Sequence, residues 1–163
     1  MIGFFPDPYP DELLYSVCAR YSERIGAPNS SRTMQELLGY WGAKATIDLP
    51  RHLNYLVSVL PLGHRYTSER LINNHTLLPF YAPFLPLERV NSIRENMKGS
   101  NKRGIHQTSG VSPSSIRSPS WLRFCPMCVE EDRKQFGETY LLASSSSVTW
   151  CASLPQAYCF FRR

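Results

Sequence analysis

Apolar residues recur at helical spacing through most of the first hundred positions. Leu13, Leu14, Val17, Cys18, Tyr21 and Ile25 form one stripe, with Glu12, Arg20, Glu23 and Arg24 on the other face. The pattern predicts a helix capped by Asp11, ended by Gly26, and carrying Cys18 as a small buried core residue. Met34, Leu37 and Leu38, framed by Ser31 and Gly39, predict a second helix. A third is expected over residues 51–60 after Pro50, a fourth from Thr67 or Ser68 through Asn74, and a fifth over residues 87–97. Between the last two lies NHTLLPFYAPFLP, residues 74–86, an apolar run broken by three prolines and therefore expected as an ordered loop rather than a strand. No stretch shows a strong two-residue period. The expected fold class is mainly α, a small helix-turn-helix-like helical domain over residues 1–97.

Beyond residue 97 the chemistry changes. Residues 98–119 are rich in Gly, Ser, Pro and basic side chains, and predict a linker. Its Lys98, Lys102, Arg103 and Arg117 suit the tracking of phosphates; the alternative is a solvated linker whose charges only keep it soluble. Residues 120–140 contain an aromatic approach, the knuckle FCPMC, and a short charged helix expected to close at Gly137. Cys125 and Cys128 supply two of the four ligands of a structural zinc site. Cys151 and Cys159 are the later candidates, although the eight-residue step between them makes a wide loop. Two other readings stay open: a redox pair, which normally requires a βαβ setting, and unliganded structural cysteines. His52, His64, His75 and His106 all lie upstream and read as surface or core residues. Residues 141–163 have no periodicity and predict an irregular tail.

Length and composition narrow the function. A chain of 163 residues fits one ordinary core with a small appended module. Its net charge of +5 permits contact with a polyanion without establishing it. The start carries no basic region followed by an apolar one, and nowhere do about 18 apolar residues run together, so a cytoplasmic chain away from the membrane is expected. Five cysteines in that setting favour metal, a reactive thiol or burial over disulfides. There is no Gly-rich phosphate loop, GxSxG, HExxH or acidic cluster for a two-metal nuclease, so no catalytic constellation other than the cysteine pair is found.

Three stretches, FFPDPYPDELLYSVCARY at residues 4–21, NNHTLLPFYAPFLP at 73–86 and FCPMCVEEDRKQFGETY at 124–140, together resemble the TniQ/TnsD family of transposon target-selection proteins. The resemblance implies a non-enzymatic accessory of DNA transposition. Such a protein recognises a target, directly on DNA or through a CRISPR effector complex, and recruits a TnsC-like AAA+ ATPase; a homodimer is compatible with either mode. It also implies Zn2+, held in the family by a Cys-x-x-Cys and a later Cys-x-x-His. Cys125 and Cys128 match the first pair, and the tail matches nothing in the second. Reading the Ser146 to Tyr158 codons one nucleotide later can restore the family pattern, so the tail is expected to be out of frame from about residues 140–145. Candidate partner contacts are Phe4, Phe5, Tyr9 and Tyr15, unless these only pin the N-terminus to the core. Candidate DNA contacts are Arg32, Arg51, Arg65 and the basic linker residues. The competing functions are an inactive truncated product and a small thiol oxidoreductase using Cys125 and Cys128.

Overall fold

The computed structural model describes residues 1–27, 29–99, 122–124, 126–140 and 160–162. Six helices build the main body: α1 (Leu14–Arg24), α2 (Ser30–Leu38), α3 (Leu53–Val59), α4 (Ser68–His75), α5 (Leu78–Tyr81) and α6 (Leu87–Lys98). A further helix, α7 (Pro126–Phe136), follows the cysteine knuckle. Strand β1 (Leu122–Phe124) pairs antiparallel with β2 (Phe160–Arg162), Leu122 opposite Arg162. The tail, expected to be irregular, thus supplies three residues to a ladder, in a stretch whose two phenylalanines favour extended backbone.

Local signals explain several helix ends. The Asn29 side chain accepts the Ser31 N–H at 2.9 Å and so caps α2, two positions before the expected Ser31. Thr67 caps α4 by accepting the Arg70 N–H at 3.2 Å. Gly39 closes α2 at φ 76°, and Gly137 follows α7 at the same φ. A side chain on Gly39 would meet the Tyr55 ring at 2.7 Å, because α3 packs directly on this turn. Gly39→Ala therefore combines left-handed strain with a displaced ring, and is expected to cost about 1–3 kcal/mol in urea unfolding. A loss below the lower figure would show that the turn relaxes.

Leu37, Leu53, Leu56, Leu71, Ile72, Leu78, Ile93 and Met97 form the centre of the core, all fully buried. Helix α3 is its hub, packing against α2, α4 and α6. Each such side chain contributes about 1.5–3 kcal/mol by leaving water.

Three expectations are corrected. Asp11 does not cap α1: it sits at φ 57°, and the helix starts after Leu13 with no side-chain cap. Glu12 and Arg20, expected on a solvent face, are 0% and 5% exposed. Residues 74–86 are not simply a loop, since they hold α5 and a 3-10 turn over Ala82–Phe84. Pro79 and Pro83 are each the second residue of their helix, where a backbone N–H has no partner to lose.

Candidate functional site

The N-terminal segment folds back over the helices and ends in a buried ionic node. Ile2 N–H donates to the Val59 carbonyl at 2.7 Å, and Pro6 is fully buried, so the segment is held at two points. Its turn at residues 9–12 then brings the Glu12 carboxylate back under α1. Three donors converge there: Ser16 Oγ at 2.7 Å, the Tyr9 N–H at 2.9 Å and Arg20 Nη1 at 2.7 Å. The Glu12 carbonyl accepts from His75 Nδ1 at 2.8 Å, tying α4 to the same point.

Arg20 connects this node to the cysteine module. Its Nη1 also donates to the Asp7 carbonyl at 3.2 Å, while Nε and Nη2 reach Glu138 Oε1 at 3.0 and 2.8 Å. Arg24 Nη2 and the Tyr9 hydroxyl donate to that same oxygen at 2.6 and 2.8 Å. The Arg20 guanidinium lies 4.2 Å from the Tyr9 ring centroid, and Tyr9 packs on Phe136 and Tyr140, each at 4.8 Å. The end of α7 is therefore docked against α1 by one carboxylate and three aromatic rings.

Titration follows from this geometry. Burial pushes the Glu12 carboxyl above its ordinary range, opposed by the Ser16 hydroxyl, the Tyr9 N–H and Arg20. At Glu138 burial also acts upward, but the Arg20, Tyr9 and Arg24 contacts outweigh it and hold the carboxyl low. Burial drives the His75 imidazole below 6.5, so His75 is neutral at neutral pH and donates through Nδ1. A depressed histidine contributes stability that is fully present above its unfolded value of 6.5 and is lost as pH falls toward the folded value. His75 should thus make the chain easier to unfold near pH 5 than near pH 7, a contribution that the raised Glu12 carboxyl opposes. His75→Asn keeps an N–H donor without the charge, and should flatten that difference in urea midpoints; an unchanged slope would remove His75 from the account.

The predicted partner residues divide. Phe5 packs on Tyr21 at 5.8 Å, and Tyr9 belongs to the node, so both make intramolecular contacts. Phe4 is 43% exposed, with the Arg24 guanidinium 5.9 Å from its ring. Tyr15 lines a shallow groove of about 360 Å3 with Cys18, Met34 and Lys44. Cys18 itself is buried, and burial pushes its thiol up to about 12, which makes it unreactive.

The predicted basic residues are spread out. Arg32 is exposed on α2 and lies 3.7 Å from Glu36; Arg51 is half-buried before α3; Arg65 is exposed between α3 and α4. Lys98 bridges Glu69 and Glu95, and these bonds raise its pKa. Lys102, Arg103 and Arg117 lie outside the described residues, as do Cys125, Cys151, Cys159 and the side chain of Cys128. Among the described residues no group of three His, Cys, Asp or Glu side chains is placed to hold a metal, and no helix is long and apolar enough to cross a membrane.

Sequence reasoning missed the node of Glu12, Arg20, His75 and Glu138. A signal was present: Glu12, Ser16 and Arg20 are spaced by four, which sets a carboxylate, a hydroxyl and a guanidinium along one line.

Comparison with known proteins bears on the whole of this body. A family model described as TniQ matches residues 3–153, spanning α1 through α7 and reaching into the stretch expected to be out of frame. The chain is 35% identical over 136 residues to the Transposon Tn7 transposition protein TnsD of Escherichia coli. That alignment covers 83% of this chain and 27% of the relative, so the chain spans about a quarter of the curated protein it matches.

Proposed function

This chain belongs to the TniQ family, and from that premise we propose that it is a non-enzymatic accessory of DNA transposition that recognises a target site and recruits a TnsC-like AAA+ ATPase. The observation that carries the proposal is the extent of the likeness to a transposition protein: it covers the complete helical body and not one short motif. The target is reached on DNA directly or through a CRISPR effector complex.

Charge distributes the work. Residues 1–99 hold ten Lys or Arg against nine Asp or Glu, a net of +1, whereas residues 100–123 hold four basic residues and no acidic one. In this reading phosphate contact belongs chiefly to Lys102, Arg103 and Arg117, assisted by Arg32, Arg51 and Arg65. The near-neutral helical body is left for protein partners. Cys125 and Cys128 take Zn2+ as half of a site that is incomplete in this chain, with Cys151 and Cys159 the later thiolates able to add to it.

The experiment is direct. Purified chain is titrated with a purified TnsC-like ATPase, with and without target DNA, by fluorescence anisotropy. Saturable binding that DNA strengthens is expected, and absence of binding under both conditions removes the recruitment reading. DNA affinity should fall steeply with salt, and charge removal at Lys102, Arg103 and Arg117 should flatten the log–log slope by about 2–3. Weak zinc binding, at most about one ion per chain and lost with Cys128→Ser, is expected of so incomplete a site; a metal-free chain with unchanged unfolding would remove the zinc site.

A further inference from the structure

Helix α2 runs into a turn over residues 39–42, GYWG, that holds an indole ring out in water. The Ala43 N–H donates to the Tyr40 carbonyl at 3.3 Å across Trp41 and Gly42, and Gly42 fills the left-handed third position at φ 72°. Both flanks of Trp41 are anchored: Ala43 is buried, and Tyr40 packs on the core and on the His52 ring at 4.4 Å. Trp41 itself is 87% exposed. Beside this turn Arg32, Gln35, Glu36, Gly39 and Tyr55 line a shallow pocket of about 320 Å3. Its aromatic wall depends on Gly39, because the Tyr55 ring takes the space that a Cβ there would need. Tyr55 remains 43% exposed.

We propose that this face binds unpaired nucleobases of DNA, one in the pocket against the Tyr55 ring and its neighbour stacked on Trp41, an inference that rests on the reading of direct DNA recognition. The chemistry of the pocket selects the ligand. A nucleobase has apolar faces and polar edges, and the pocket sets one aromatic wall among the Arg32 guanidinium, the Gln35 amide and the Glu36 carboxylate. Arg32 and Glu36 stand 3.7 Å apart, too far for a good hydrogen bond, and at 82% and 51% exposure both can turn to a base edge. Spacing agrees. The Cα atoms of Gly39 and Trp41 lie at most about 7 Å apart, the length of roughly two base steps of about 3.4 Å. A fully paired duplex offers no such ligand, since its bases are stacked and face each other. A protein hot spot is ringed by contacts that keep water out, whereas the exposed residues that follow Trp41 and precede Tyr55, Lys44, Thr46 and Asn54, are polar. This face is the exception in a body otherwise left for protein partners. Near-neutral, that body draws phosphates weakly, so what it adds is stacking, which salt does not screen.

Binding of the full chain is measured by fluorescence anisotropy, across a salt series, on two labelled DNAs: a fully paired duplex and the same duplex with a short mismatched bubble. The wild-type chain is expected to hold the bubble at least about 10-fold more tightly, since each stacked base contributes about 5- to 150-fold. Trp41→Ala and Tyr55→Leu should each lose most of that preference at an unchanged salt slope, and Trp41→Ala at an unchanged Tm because the indole is in water. Trp41→Phe should keep the preference within about threefold, since a smaller ring still stacks. Removing the charges of Lys102, Arg103 and Arg117 should weaken both DNAs alike. Equal binding of the two DNAs by the wild-type chain overturns the platform and leaves direct DNA recognition standing. Binding to neither overturns both. A bubble preference that Trp41→Ala and Tyr55→Leu both retain places the bases elsewhere and overturns the proposal. If Trp41→Ala instead weakens binding of the TnsC-like ATPase and leaves the bubble preference intact, the face belongs to a protein and the proposal falls.

Discussion

Replacing Arg20 with Met should lower the unfolding free energy by about 3–5 kcal/mol, and the Tm by roughly 10–20 °C. The reason is what remains behind. Glu12 is fully buried, and without the guanidinium only the Ser16 hydroxyl and the Tyr9 N–H answer its charge. A buried carboxylate without a cation costs much more than the pair gained by forming. Glu138 would lose its closest buried donor at the same time. Glu12→Gln should cost less, about 1–3 kcal/mol, because Arg20 keeps Glu138 as its counter-ion. The double variant Glu12→Leu/Arg20→Met should recover at least half of the Arg20→Met loss, since two apolar chains replace two charges in one buried space. Urea unfolding near pH 7 reads all three. An Arg20→Met loss below about 1 kcal/mol, or losses that simply add, would mean that the node is solvated in solution.

The node also shows where sequence reading reached its limit. The helical body was legible because its apolar residues keep the helical period, and α2, α4, α6 and α7 lie where the period, the prolines and the glycines put them. Helical spacing puts Glu12 and Arg20 on the solvent side, because charge on a helix usually marks the wet face. That inference fails when a distant segment covers the face. Glu138 lies 118 positions from Arg20, and no local pattern announces that contact. Residues 74–86 failed differently. Three prolines argue against strand and against long helix, yet they fit the first turn of a short one, and which alternative holds depends on Leu78 finding the core. Among the candidate site residues, Tyr9 shows the same ambiguity. An aromatic near a terminus suits an interface or a structural anchor equally, and only the packing of Phe136 and Tyr140 against it displays the second role.

Weakening the contact between α7 and α1 should have a large and local effect. In the full chain, Phe136→Ala/Glu138→Gln/Tyr140→Ala removes both rings on Tyr9 and the carboxylate shared by Arg20, Arg24 and Tyr9. Each ring contact is worth about 0.5–1.5 kcal/mol, and hydrogen bonds to a charged group about 1.5–3, so the docking free energy falls by about 2–4 kcal/mol after the freedom regained by the segment. Helix α7 has 11 residues, too few to persist in water without tertiary support. Its amides should therefore exchange about 30- to 1000-fold faster, while the amides of α3, α4 and α6 change little because Leu53, Leu71 and Ile93 keep their own core. If α7 stays protected, something other than this contact holds it, and coordination at Cys125 and Cys128 becomes the leading account of the module. If α7 and the core lose protection together, the two form one cooperative unit. The node would then be part of the fold's foundation, and the 98–119 segment a connection within one domain.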